Sequence, residues 1–293
     1  MLLLGAPPAV AAPPVIVASK IDTEGALLGN MILSVLATHD IPVGNRLQLG
    51  PTNIVRAAIL AGQIDIYPEY TGNGALFFHT EQDELWKSRQ RGYDEIAKLD
   101  LAQNHLVWLT PAPANNAWVI AVRKDLAQRA RLATVSDFAS YVNGGGRVKL
   151  AASAEFVESP SALPAFEASY GFRLSDRQLL TLSGGNTSAT LRAAAEGMSG
   201  VNAAMAYGTD GAIAALGLVA LDDDKGAQIV YAPAPVVRQA TLQQYPQIPG
   251  LVDPVFASLT LATLQQLNAR IAVDGEDAGA VAVSYLKSKH FLR

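Results

Sequence analysis

The feature that most constrains this chain is the order of its elements between residues 15 and 70. Val15-Ile16-Val17-Ala18 is a short β-rich run, and it stops at Asp22-Thr23-Glu24, residues that open helices. Residues 25–38 then place Leu27, Leu28, Met31, Ile32, Val35 and Leu36 at helical spacing. Leu47-Gln48-Leu49 reads as a strand. Thr52 opens a helix carrying Ile54, Val55, Ala58 and Ile59, and Gly62 closes it before Ile64-Asp65-Ile66-Tyr67. Strands separated by helices in this way form a parallel sheet with the helices packed on it. Ligands of such sheets gather at the carboxyl ends of the strands, where Lys20 and Tyr67-Pro68-Glu69-Tyr70 fall. Thr23 and Thr52 read as helix caps.

A second set of elements follows in the middle of the chain. Residues 81–105 read as a charged surface helix, and strands are expected at 107–109 and 118–122. Helices are expected from Ser136, from about Ala162 and over 187–196. Strands are expected at 148–151, 179–182, 203–207 and 228–231. The tail returns to helices near 239–246, 260–270 and 276–289. With 293 residues the chain has room for about two domains. The expected fold class is α/β with two lobes, residues 13–118 and 225–293 forming one and 119–224 the other. Two strand-like crossings, near 118–122 and 225–232, would join them and suit hinge closure around a ligand.

Composition removes several functions. A net charge of -4 with no concentrated basic face weighs against a nucleic-acid partner. With no cysteine there is no thiolate nucleophile, thiolate zinc site or disulfide frame. His39, His79, His105 and His290 show no metal-ligand spacing. Gly144-Gly145-Gly146 and Gly184-Gly185 lack the Lys-Ser/Thr of a phosphate loop and read as turns. No GxSxG elbow is present. Trp86 and Trp108 read as core. Residues 1–12, MLLLGAPPAVAA, end in the small-x-small Ala9-Val10-Ala11 and read as a signal peptide whose start is truncated, which implies a periplasmic location.

Five phrases resemble the glycine betaine/choline/carnitine-binding proteins of osmoprotectant ABC importers. They are Ser19-Lys20-Ile21-Asp22-Thr23-Glu24, Asp65-Ile66-Tyr67-Pro68-Glu69-Tyr70-Thr71-Gly72, Asn115-Asn116-Ala117-Trp118, Ala206-Tyr207-Gly208-Thr209-Asp210 and Ala232-Pro233-Ala234-Pro235-Val236-Val237-Arg238. The resemblance runs in unbroken order from Val15 onward and is closest to the osmotically regulated branch of enteric bacteria. It implies a type II periplasmic-binding-protein fold with the ligand cleft between the lobes. It implies as partners a small quaternary amine and the permease transmembrane subunits with their ATPase, with no cofactor, metal or catalysis.

The resemblance also implies an aromatic cage of Tyr70, Trp118, Tyr207 and Tyr231. A trimethylammonium group has no N–H to donate, whereas aromatic faces attract its charge and match its methyls. Betaine binders of the family hold the ligand carboxylate with a Lys, an Arg and a Thr. Lys20 matches the first, Ser159 stands in place of the Arg, and Asn73 in place of the Thr. Loss of the guanidinium fork favours choline over glycine betaine, because Asn73 and Ser159 suit a hydroxyl. Lys20 reads either as a carboxylate contact or as the partner of Glu24 or Glu69, and Tyr67 as packed at its strand end. Asn73 and Ser159 either line the pocket or finish turns. A sensor that reports its ligand to a receptor, or an enzyme on the same two-lobed scaffold, are the alternatives.

Overall fold

The computed structural model describes residues 13–81, 83–182 and 187–292. Among them, ten strands form two sheets. The first sheet contains β1 (Val15–Lys20), β2 (Val43–Gly50), β3 (Ile66–Tyr70), β4 (Leu106–Trp108) and β10 (Pro233–Arg238), in the order β2-β1-β3-β10-β4. The second contains β5 (Trp118–Arg123), β6 (Leu150–Ser153), β7 (Leu179–Leu182), β8 (Ala203–Tyr207) and β9 (Leu218–Ala220), in the order β7-β6-β8-β5-β9. Each sheet repeats one plan. A central strand is flanked by two parallel neighbours, and an antiparallel strand then closes the pattern, β10 in the first sheet and β5 in the second.

Helix Thr23–Thr38 is buried along much of its surface, with Leu27, Leu28, Met31, Ile32, Val35 and Leu36 in the core. An apolar helix of this kind needs cover on both sides. One side lies on the first sheet. The C-terminal helices Ile248–Ala257, Leu261–Ala272 and Ala278–Ser288 supply the other, through Val252, Phe256, Leu264, Val281 and Leu286. Helix Thr187–Glu196 covers one face of the second sheet with Leu191, Ala193 and Ala194. Phe138, Phe156 and Phe166 belong to a separate core cluster with Ile120, Val122, Leu150 and Met205 of that sheet. Trp86 and Trp108 are both in the core.

Several local expectations are corrected. Residues 118–122 are not a crossing; they lie in β5, inside the second sheet. The chain passes between the sheets at 109–117 and 221–232, and no strand forms at 228–231. The cap of helix Thr23–Thr38 is Asp22, whose carboxylate accepts from the Gly25 amide at 2.7 Å, and helix Thr52–Leu60 starts after Pro51 with no side-chain cap. Helix Ile248–Ala257 went unread, because Pro249, Gly250 and Pro254 mask it. The leader reading of residues 1–12 and the turn at Gly184-Gly185 lie outside the described residues.

Candidate ligand-binding site

The carboxyl ends of β1, β3 and β8 open onto one cavity of about 820 Å³ between the two sheets. Lys20, Tyr70, Asn73, Trp118, Tyr207 and Tyr231 all line it, so six of the seven residues read from sequence converge. Ser159 does not line it. It sits at the end of helix Ala154–Glu158, and its hydroxyl meets that of Ser161 at 3.0 Å. From this helix it is Glu155 that reaches the cavity.

Trp118 and Tyr207 are directly opposite each other across the β5–β8 ladder. Their rings stack at 4.2 Å and 24°, and Phe156 meets the Trp118 ring edge-on at 5.4 Å. Opposite cross-strand positions thereby fix the two rings face to face as one stack. Tyr231 belongs to the 221–232 crossing and is held by Asn115, whose Oδ1 accepts from its amide at 2.9 Å. Its ring lies against Gly72, where a Cβ would come within 2.8 Å of the ring carbons, so the Thr71-Gly72 turn needs glycine for a packing reason. Burial raises the phenols of Tyr70, Tyr207 and Tyr231, so all three present neutral rings at neutral pH.

The polar groups around Tyr70 are already committed. The Lys20 ammonium is ion-paired with the buried Glu69 and lies 4.7 Å from the centroid of the Tyr70 ring, over one face. Glu69 also accepts from the Tyr70 amide and from Asn73 Nδ2, each at 2.7 Å, and from the Tyr67 hydroxyl at 3.2 Å. Tyr67 itself is fully buried and stays out of the cavity lining. Lys20 is the only cation among the described residues that line the cavity, and Glu69 neutralises it.

Acidic groups missed at the sequence level complete the lining: Asp22, Glu24, Glu155 and Asp210. The Tyr70 hydroxyl donates to one Glu24 oxygen at 2.7 Å, and Asn268 Nδ2 donates to the other at 2.7 Å. Burial raises the Glu24 carboxyl above its ordinary range, against the pull of hydrogen bonds from Thr209, Tyr70 and Asn268. Burial raises Asp210 too, although the Tyr207 amide donates to it at 2.9 Å. Asn268 was the readable signal, since it interrupts an apolar stripe with Leu264 and Leu267 on helix Leu261–Ala272. Thr23 and Thr52, expected only as caps, also line the cavity.

Two α/β lobes with a cleft at the strand ends define a type II periplasmic binding protein, and solved structures agree with that class. An apo structure of YehZ from Escherichia coli superposes with a TM-score of 0.89 at 60% identity, covering 96% of this chain and 100% of that one. A glycine betaine/carnitine/choline ABC transporter structure superposes at 0.83 with 20% identity over 94% of this chain and 99% of that one, a likeness of fold. The family model for the substrate binding domain of ABC-type glycine betaine transport systems matches residues 13–288, and the chain belongs to that family. The glycine betaine-binding protein YehZ of E. coli K12 is 60% identical over 96% of this chain and 92% of its own length. A glycine-betaine-binding protein of Pseudomonas aeruginosa is 29% identical over 94% and 88%. Both relatives are named as binding proteins, not as enzymes. No single helix among the described residues is long and apolar enough to cross a membrane.

Proposed function

We propose that this protein captures a quaternary-ammonium solute in the cage of Tyr70, Trp118, Tyr207 and Tyr231. It then delivers the solute to the transmembrane subunits of an ABC importer powered by their ATPase. It works in the periplasm, with residues 1–12 as part of the leader that takes it there. The observation that carries the reading is the cavity lining, in which four aromatic rings stand beside four carboxylates and the one cation is already paired. Neutral aromatic faces attract a methylated ammonium, and ionised carboxylates add a field that favours it.

That lining favours choline over glycine betaine. A betaine carboxylate would enter among Asp22, Glu24, Glu155 and Asp210 with no guanidinium to meet it, and like charges at contact cost several kcal/mol. The second reading is betaine itself, favoured by the glycine betaine-binding relative at 60% identity. In that reading Lys20 and neutral donors of the lining meet the ligand carboxylate. Titration calorimetry of ligand-stripped protein tests both. Choline is expected to bind more tightly than glycine betaine, and Trp118→Ala to weaken choline about tenfold, the loss of one good cation–π face. Tighter binding of betaine would overturn the choline preference, and binding indifferent to Trp118→Ala would overturn the cage.

A further inference from the structure

Glu24 is 5% exposed, lines the cavity, and has no cation among its hydrogen-bond partners in the described residues. The groups that face it are the Tyr70 hydroxyl from β3, the Asn268 amide from helix Leu261–Ala272, Thr209 from the turn after β8, and Asp22 at the start of its own helix. None of these is positive, and Asp22 is of like charge. The nearby Lys20 ammonium is held away by Glu69 on the face of the Tyr70 ring. A buried carboxylate normally has a cationic partner, because desolvation strongly penalises an isolated charge.

Asn268 deepens the puzzle. Its Nδ2 serves both Glu24 and the Thr209 carbonyl, at 2.7 and 2.9 Å, while its buried Oδ1 has no partner among the described residues. The amide therefore divides its donors between Glu24 and the Thr209 carbonyl and leaves its acceptor unused among the described residues. A carboxylate fixed by a tyrosine and an asparagine at the wall of an aromatic cavity is arranged to face a cation that the protein does not itself supply.

We propose that Glu24 is the counter-charge of the bound ammonium and the residue that selects a cation over an uncharged molecule of the same shape. The inference rests on the cage reading, since the ammonium must sit among the aromatic rings to face Glu24. Binding should then be linked to protons. The free protein holds a proton on Glu24 more tightly than an exposed glutamate does, and an arriving cation favours the ionised form. Cation binding therefore releases a proton wherever Glu24 is partly protonated, and affinity rises with pH across that range.

The test uses choline and its neutral carbon analogue, 3,3-dimethylbutan-1-ol, on wild type and Glu24→Gln. Glutamine keeps the bond from Asn268 through its carbonyl and reverses the contact with Tyr70, its amide donating to the phenol oxygen, so the shape is kept while the charge is removed. The expected result is a loss of about tenfold in choline affinity with the neutral analogue changed less than about twofold. Calorimetry in buffers of different ionisation enthalpy should also count fewer protons released by choline in Glu24→Gln than in wild type. Equal losses for both probes would mark Glu24 as structural and overturn the proposal, as would an unchanged proton count. Trp118→Ala separates the two readings. If it weakens neither probe, the cage fails, whereas if it weakens both while Glu24→Gln acts on both alike, only the counter-charge fails.

Discussion

Glu69 is the residue on which the cavity wall depends. It is fully buried and gathers the Lys20 ammonium, the Asn73 amide, the Tyr70 backbone and the Tyr67 hydroxyl onto one carboxylate. Glu69→Ala would leave Lys20, 6% exposed, without its counter-charge, and breaking a buried pair this way costs about 3–5 kcal/mol. Urea denaturation should read a loss of that size, and a loss under about 1 kcal/mol would show that Lys20 finds another partner. Tyr70, Trp118 and Tyr207 were legible because each lies inside a short phrase whose neighbours fix it, and Tyr231 because it stands immediately before one. Glu24 was not, because its contact with Asn268 joins positions 244 residues apart, and the sequence marks it only through the polar break that Asn268 makes in an apolar stripe. Ser159 shows the reverse failure. Its place in a phrase suggested a ligand contact, whereas the geometry turns Glu155, one helical turn earlier, toward the cavity.

At the scale of elements, β-branched runs and helical spacing gave the first three strands and their helices, since both periodicities are carried by local burial. The crossing expected at 118–122 was misplaced for a physical reason, whereas the one expected at 225–232 lies within the observed passage. Trp118–Arg123 is apolar because β5 is an inner strand of its sheet, so its pattern cannot distinguish a strand that ends a crossing from the crossing itself. The Thr71-Gly72 turn makes a sharper claim. Gly72→Ala would push a Cβ into the Tyr231 ring and the Ile229 side chain, at 2.8 and 2.7 Å. The helix that follows is untouched, so the fold should persist while choline affinity falls about tenfold, as expected if one cage face is displaced. Calorimetry beside a thermal melt checks this, and unchanged affinity would mean that Tyr231 lies outside the cage. Gly211 makes a comparable approach between lobes, where a Cβ would stand 2.1 Å from the Ala269 amide nitrogen on helix Leu261–Ala272.

Across the whole molecule, the acidic cavity trades stability for binding. Glu24 and Asp210 both hold protons more tightly in the folded chain than in the unfolded one. Their contribution is therefore most favourable below the ordinary carboxylate range and is lost as pH rises through their folded values. Glu24→Gln removes one such group, so it should raise the melting temperature by about 2 °C or more at pH 7 and flatten its fall with pH. A lower melting temperature in the variant would mean that the ionised carboxylate is stabilised by groups beyond those around it here. The same two-lobed plan that places these acids also places Trp118 and Tyr207 across from Tyr70 and Tyr231. The most direct measurement is a crystal structure with choline at saturating concentration. The cage predicts the ammonium nitrogen within about 6 Å of the ring centroids of Tyr70 and Tyr231 and of the open face of the Trp118–Tyr207 stack, on the side of the cavity lined by Glu24. An ammonium seated away from those rings, with Glu24 facing water, would contradict it.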